Sequence, residues 1–323
     1  MAAILTVLLT LACGLSRSPV LAVGNLGLAP HQIKNLVAFG DSYTDVVAIS
    51  DGGTPWPVYA ASYAGVRLLP FARSGAPCSQ ALTPRPFPAV VQDELPAYFA
   101  ELRNGTLGAL PPAETLYTLW IGTNDLGPNT LLTGQARDGA DVVAVTACAV
   151  GWVQTLYDAG ARNFLFQNLV PLDRLPLYAV DSYPNRYWTA QRNTTEWHLF
   201  MSELTAAGNA LSRLMLQALA PSLPGAHVGL FDSHALFSDI LDRPAAYLNG
   251  TAPLNTTGAA DACVYALGGD ASTARCTVAT GSARDSFVWY DELHPSEQSD
   301  RIVAREIANT LTDKGSRWTT WFS

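Results

Sequence analysis

The chain has 323 residues, of which 49% are hydrophobic and 14% charged. It is too apolar for a disordered chain and long enough to bury a large core. Lys and Arg number 19 against 27 Asp and Glu, a net charge of −8. That balance speaks against a nucleic-acid or anionic-membrane surface, either of which would need a basic patch.

The first predicted element is a targeting segment. Residues 3–15 form a short apolar block, and small residues around Val20-Leu21-Ala22 offer a cleavage site. The block falls short of the ~20 apolar residues that a bilayer span requires. It reads as a secretory signal peptide over residues 1–22. No long apolar stretch recurs after Ala22, so no membrane span is expected, and residues 23–323 read as one domain.

Leu36-Val37-Ala38-Phe39 is an apolar run that ends in Gly40-Asp41-Ser42, a buried strand running into a turn. Leu116 to Ile121 is a second such strand, ending at Gly122. From about Val142 to Ala159 the spacing is helical, with Val145, Ala149, Trp152, Val153 and Leu156 on one face and Gly160 as the stop. Phe164-Leu165-Phe166 follows as a strand. A long helix then carries Trp197, Phe200, Met201, Leu204, Leu211, Leu214, Met215 and Ala218 at i, i+3, i+4 spacing and stops before Pro221. Val228 to Phe231 is a further strand. Residues 242–285 are rich in turns and read as a surface excursion. Val303, Ile307 and Leu311 mark a closing helix capped by Ser296. Strands that alternate with helices and are apolar throughout predict an α/β fold, with a parallel sheet covered on both faces.

Cysteine use agrees with export. Past the leader remain Cys78, Cys148, Cys263 and Cys276. An even count in an oxidising compartment implies two disulfides. Cys263–Cys276 is favoured because it closes a short loop in a Gly/Ala/Thr-rich stretch, and Cys78–Cys148 follows by elimination. Free buried thiols are the alternative. Asn104, Asn193, Asn249 and Asn255 begin Asn-x-Ser/Thr sequons and are glycosylation candidates.

In a parallel sheet, ligands bind outside the carboxyl ends of strands. Gly40-Asp41-Ser42-Tyr43 and Gly122-Thr123-Asn124-Asp125 both follow predicted strands. Asp291-Glu292-Leu293-His294-Pro295-Ser296 lies near the C-terminus. A serine, a histidine and an acid are the ingredients of an activated nucleophile.

Together with the turn at Ser74-Gly75-Ala76, these blocks resemble, in order, the four blocks of the GDSL (SGNH) hydrolase superfamily. Ala38 to Asp45, Tyr157 to Arg162 and Trp289 to Ser296 are similar to secreted fungal members, in particular the acetylesterases of carbohydrate esterase family sixteen. The resemblance implies a flavodoxin-like three-layer α/β/α fold around a central parallel sheet. It implies Ser42 as nucleophile, His294 as general base and Asp291 as the acid that orients the imidazole. An i, i+3 spacing would let Asp291 and His294 face one way if the segment forms a helical turn. The backbone N–H groups of Ser42 and Gly75 and the Asn124 amide would form the oxyanion hole.

His234 has a simpler reading, since Asp232 or Ser233 can cap a short helix beginning there. Asp45 could be a cap or a substrate contact and stays outside the triad. No Gly-x-Ser-x-Gly elbow, Walker A sequence or His-Glu-x-x-His occurs. No metal and no cofactor are expected. Tyr43, Trp56, Tyr59, Trp120, Trp289 and Tyr290 lie near the catalytic blocks, where packing is the simpler account of each than sugar stacking.

The expected protein is a secreted, monomeric, metal-independent serine esterase. It would remove short acyl groups, chiefly acetyl, from plant-wall oligosaccharides through an acyl-enzyme. Two alternatives stay open: a lipase or phospholipase of the same superfamily, and a secreted binding glycoprotein whose triad is idle.

Overall fold

The computed structural model describes residues 27–323, so the leader expected at residues 1–22 lies outside the described residues. The chain runs β1 (Asn35–Gly40), α1 (Trp56–Ala64), β2 (Arg67–Pro70), α2 (Leu95–Arg103), β3 (Thr115–Trp120), α3 (Thr123–Leu126) and α4 (Val142–Asp158). It continues through β4 (Asn163–Gln167), α5 (Thr194–Leu219), β5 (His227–Phe231) and α6 (Ser233–Asp242). The last third holds β6 (Asn255–Ala259), β7 (Asp261–Val264), β8 (Arg275–Val278), β9 (Phe287–Trp289), α7 (Glu297–Leu311) and β10 (Thr319–Trp321).

One six-stranded sheet, in the order β10-β5-β4-β3-β1-β2, forms the middle layer. The first five strands pair parallel, which requires helical crossovers. β10 is a departure from the expected all-parallel sheet, since Thr319–Trp321 pairs antiparallel with Phe231–Gly229. Three strands, β1, β3 and β4, are buried along their whole length. Their side chains therefore alternate between two cores. Leu36, Leu116 and Leu165 enter one, shared with α1, α6 and α7. Val37, Tyr117 and Phe164 enter the other, shared with α2 and α4. This is the three-layer α/β/α arrangement, with the 2-1-3-4-5 strand order of flavodoxin-like folds. The order reverses between β1 and β3, so the crevice of such a sheet opens where those two strands end.

Caps match the residue types that make them. Asp141, Asn193, Asp232 and Ser296 accept backbone N–H groups at the starts of α4, α5, α6 and α7. Residues 242–285 carry β6, which pairs with β9 beside the closing helix, and the β7–β8 hairpin. Disulfides join Cys78 to Cys148 and Cys263 to Cys276. The first ties the loop after β2 to α4; the second crosses the β7–β8 hairpin.

Candidate active site

Ser42 sits one turn beyond β1. Gly40 ends that strand at φ +140°, where a Cβ would collide with the Trp120 carbonyl at 2.2 Å, so only glycine lets β1 and β3 converge here. The turn that follows is held by its own polar groups. Asp41 accepts the Tyr43 N–H at 3.0 Å, and Glu94, from the start of α2, accepts the Gly40 and Arg73 N–H groups at 3.1 and 3.2 Å. Asp45 accepts the Ser74 N–H at 2.8 Å and the Val47 N–H at 2.7 Å. It thus braces the serine turn against the Ser74-Gly75 turn.

His294 reaches Ser42 from the far end of the chain. Trp289 bridges Pro295, and the Tyr290 N–H donates to the His294 carbonyl at 2.8 Å, so residues 290–294 form a narrow loop. The loop is a bend and not the helical turn considered for the i, i+3 pair. Asp291 Oδ1 accepts the Leu293 and His294 N–H groups, each at 2.8 Å, and this side-chain turn replaces helical bonding. The result still brings the pair together. His294 Nε2 lies 2.8 Å from Ser42 Oγ, and Nδ1 lies 3.0 Å from Asp291 Oδ1.

Electrostatics favours a proton on the imidazole. Burial alone would lower the His294 pKa, but the Asp291 carboxylate and its hydrogen bond outweigh burial and raise it above 6.5. Burial pushes Asp291 upward, yet the His294 charge and hydrogen bonds from His294, Tyr187 and the backbone bring it below 3.8. Both shifts stabilise the same imidazolium–carboxylate pair. Asp41 behaves differently: burial lifts it to about 7.

The turn at Gly75 and the segment around Asn124 close the other side. Gly75 adopts φ +79°, and a Cβ would lie 2.4 Å from the Phe87 ring. The Asn124 Nδ2 donates one hydrogen to the Ala76 carbonyl at 3.0 Å, which fixes the amide beside Gly75 and leaves its second hydrogen available. Next to it, the Asp125 carboxylate accepts the Cys78 N–H at 3.0 Å and the Thr83 hydroxyl. The arrangement can move a proton from a serine hydroxyl to a buried imidazole and can offer neutral donors to a nearby oxygen anion.

Packing accounts for several of the aromatic residues near the motifs. Trp56, Trp120 and Trp289 are fully buried in the core, and Tyr59 bonds Glu297 at 2.8 Å. Tyr43 is buried but touches His294, with ring centroids 5.8 Å apart. His234 lies in a separate polar pocket with Asp232 and Arg213. Asn193 caps α5.

Three contributors were not singled out from sequence. Glu94 holds Gly40. Tyr187 donates to Asp291 Oδ2 and lies 3.0 Å from His294 Nδ1. Arg186 lies 3.8 Å from Asp291 and 3.3 Å from Glu292, while its Nη2 donates to the Asp261 carbonyl at 2.9 Å. Both residues sit in an irregular stretch whose only pairing is an isolated Asn185–Trp188 bridge, so no periodic signal marks them.

Comparison with known proteins identifies the family. The chain is 28% identical to an acetylesterase of Hypocrea jecorina over 90% of this chain and 93% of that one. It is 24% identical to an acetylesterase of Thermothelomyces thermophilus over 88% and 89%. Among solved structures, a carbohydrate acetylesterase from Sinorhizobium meliloti is 14% identical with a TM-score of 0.45, covering 86% of this chain and 98% of that one. The family model of GDSL-like lipases and acylhydrolases matches residues 36–307, a span that begins in β1 and ends inside α7. With both ends of that span meeting at one serine and one histidine, the chain belongs to the GDSL-like lipase/acylhydrolase family and is a carboxylic ester hydrolase.

Proposed function

We propose that this protein is a secreted acetylesterase that removes short acyl groups, chiefly acetyl, from hydroxyls of plant-wall oligosaccharides. One observation carries the reading: the Ser42 Oγ–His294 Nε2 distance of 2.8 Å, with Asp291 on the other ring nitrogen. Ser42 Oγ attacks the ester carbonyl while its proton passes to His294 Nε2. Negative charge develops on the former carbonyl oxygen and meets the N–H groups of Ser42 and Gly75 and the Asn124 amide. The C–O bond to the alcohol breaks, and the alcohol leaves with the proton from His294. Water repeats the sequence on the acyl-enzyme, and the acid is released. Asp291 keeps the Nδ1 proton in place and stabilises the imidazolium.

The acetyl preference is supported by the names of the two fungal relatives. Export is supported by the apolar leader at residues 1–22 and by two disulfides in residues 23–323. Ser42→Ala should lower kcat on p-nitrophenyl acetate by on the order of 10⁶. A chain-length series from acetate to palmitate tests the acyl class. A long-chain optimum would mean a lipase, and undiminished turnover by Ser42→Ala would remove the serine from the mechanism.

A further inference from the structure

Beside Asn124 lies a small pocket that the steps above do not use. Its free space, mouth included, is about 320 Å³, and its walls include Arg85, Asn124, Gly127, Tyr178, Tyr187 and Leu293. Two of its polar groups are not fully matched by the described residues. Tyr178 is 1% exposed, and its hydroxyl has no hydrogen-bond partner among the described residues. Gly127 makes room for it, since a Cβ there would stand 3.0 Å from the hydroxyl oxygen.

Arg85 is the second. Its Nη1 donates to the Asn124 and Pro128 carbonyls at 3.4 and 3.2 Å, and its plane sits 5.5 Å from the Phe87 ring centre. It forms no ion pair with a carboxylate among the described residues. Asp125, the buried acid next in sequence to Asn124, is already occupied by Cys78 and Thr83. Arg192, whose charge also acts on Tyr178, donates only to Ser182 and to the Tyr183 and Trp188 carbonyls. A partly buried guanidinium that Asp125 and Asp41 reach only through space, and a buried hydroxyl without an acceptor, each carry a desolvation cost. Together they are the donor set that a carboxylate satisfies, the guanidinium through its fork and the phenol through one O–H.

We infer that this pocket receives a carboxylate carried by the ester substrate, with Arg85 as its ion-pair partner and Tyr178 as a second donor. The inference rests on the esterase reading and narrows it to a preference for anionic over neutral esters of equal size. The carboxylate sits either on the alcohol, as in an acetylated uronic acid, or on the acyl group, as in a dicarboxylic hemiester. The net charge of −8 offers anions no general attraction, so a preference must come from these local donors.

Two matched substrate pairs separate the sources. One sets mono-O-acetyl methyl glucoside against mono-O-acetyl methyl glucuronide; the other sets ethyl 4-methylpentanoate against ethyl hydrogen succinate. The expected kcat/KM favours the anionic member of one pair by about tenfold, equivalent to about 1.4 kcal/mol, and added salt shrinks the ratio. Arg85→Gln should bring the ratio to one. Tyr178→Phe, which removes only an unpartnered hydroxyl and should fold, should lower it severalfold. Taking the ratio within each variant cancels any general loss from the Arg85 tie to Asn124. Should Arg85→Gln fail to fold, Tyr178→Phe and the salt dependence decide. Equal rates within both wild-type pairs, or a preference untouched in both variants, overturn the inference and leave the esterase reading standing. No turnover of any of the four esters would overturn both.

Discussion

The Tyr43 hydroxyl donates to the Leu293 carbonyl at 2.7 Å and so joins positions 250 apart in the chain. One partner follows the serine and the other precedes the histidine. This bond therefore ties the serine turn directly to the loop that carries His294. Tyr43→Phe keeps the ring against His294 and loses only the bond. It should cost about 1 kcal/mol in denaturant unfolding and lower kcat by about tenfold with KM little changed, because positioning errors act on the transition state. An unaltered kcat would show that other contacts set the spacing.

Acid should switch the reaction off. The proposed mechanism needs neutral His294, and the Asp291 carboxylate raises the imidazole pKa above 6.5. The acid limb of kcat/KM should have its midpoint above 6.5 and flatten once His294 is deprotonated. Asp291→Asn should lower kcat by about 10⁴. A rate–pH profile with its midpoint below 6 would contradict the strength of the ion pair.

Stability should run the other way. Burial raises Asp41 to about 7 and Asp125 to about 6, while both titrate near 3.8 when unfolded. The folded chain thus binds more protons between these values. Stability from these groups is complete below about pH 4 and declines as pH rises towards 7. The His294 shift has the same sign: its contribution is full below 6.5 and is lost as pH rises through the raised folded value. Asp51, buried opposite Asp300, is also raised to about 7 by burial. Asp51→Asn should raise the Tm at pH 8 and weaken its fall with pH, measured by thermal melts from pH 4 to 9.

Tyr187 positions the acid of the triad and holds it ionised. Removing its hydroxyl makes Asp291 more basic, so the pull on His294 grows. Tyr187→Phe should move the acid limb of kcat/KM to higher pH and reduce the plateau by about tenfold. A merely structural tyrosine would change the melting temperature without moving the limb.

The Cys78–Cys148 link spans 70 residues and anchors the loop that carries Gly75 and Ala76. Chain entropy puts its contribution at about 4 kcal/mol. A Cys78→Ala/Cys148→Ala double variant should melt lower and lose activity before it unfolds, because the Asn124 amide leans on the Ala76 carbonyl. Activity and near-UV signal followed together across a temperature ramp would reveal that order.

Much of this architecture can be read from local pattern. β1, β3 and β4 are apolar runs because both faces of the sheet are covered, and the cap residues announce α6 and α7. β2 gives no such signal: it is a four-residue edge strand, half-exposed and ended by a proline. The blocks that hold Ser42, Asp291 and His294 stood out through their motifs, and for Ser42 alone the motif also follows a predicted strand. Tyr187 and Glu94 did not stand out, because each acts on a group 104 or 54 residues away. The tryptophans near the motifs face the core, since strand ends that converge on a pocket must themselves be packed.

β10 shields one margin of the sheet with only three residues. Trp321 lies across Gly27 and Gly229, where side chains would clash with its indole. Without that ribbon, β5 would present open backbone amides to any neighbouring copy, the geometry by which sheets polymerise. Affinity handles fused directly after Ser323 therefore risk self-association, and a spacer that keeps the indole seated is the safer build.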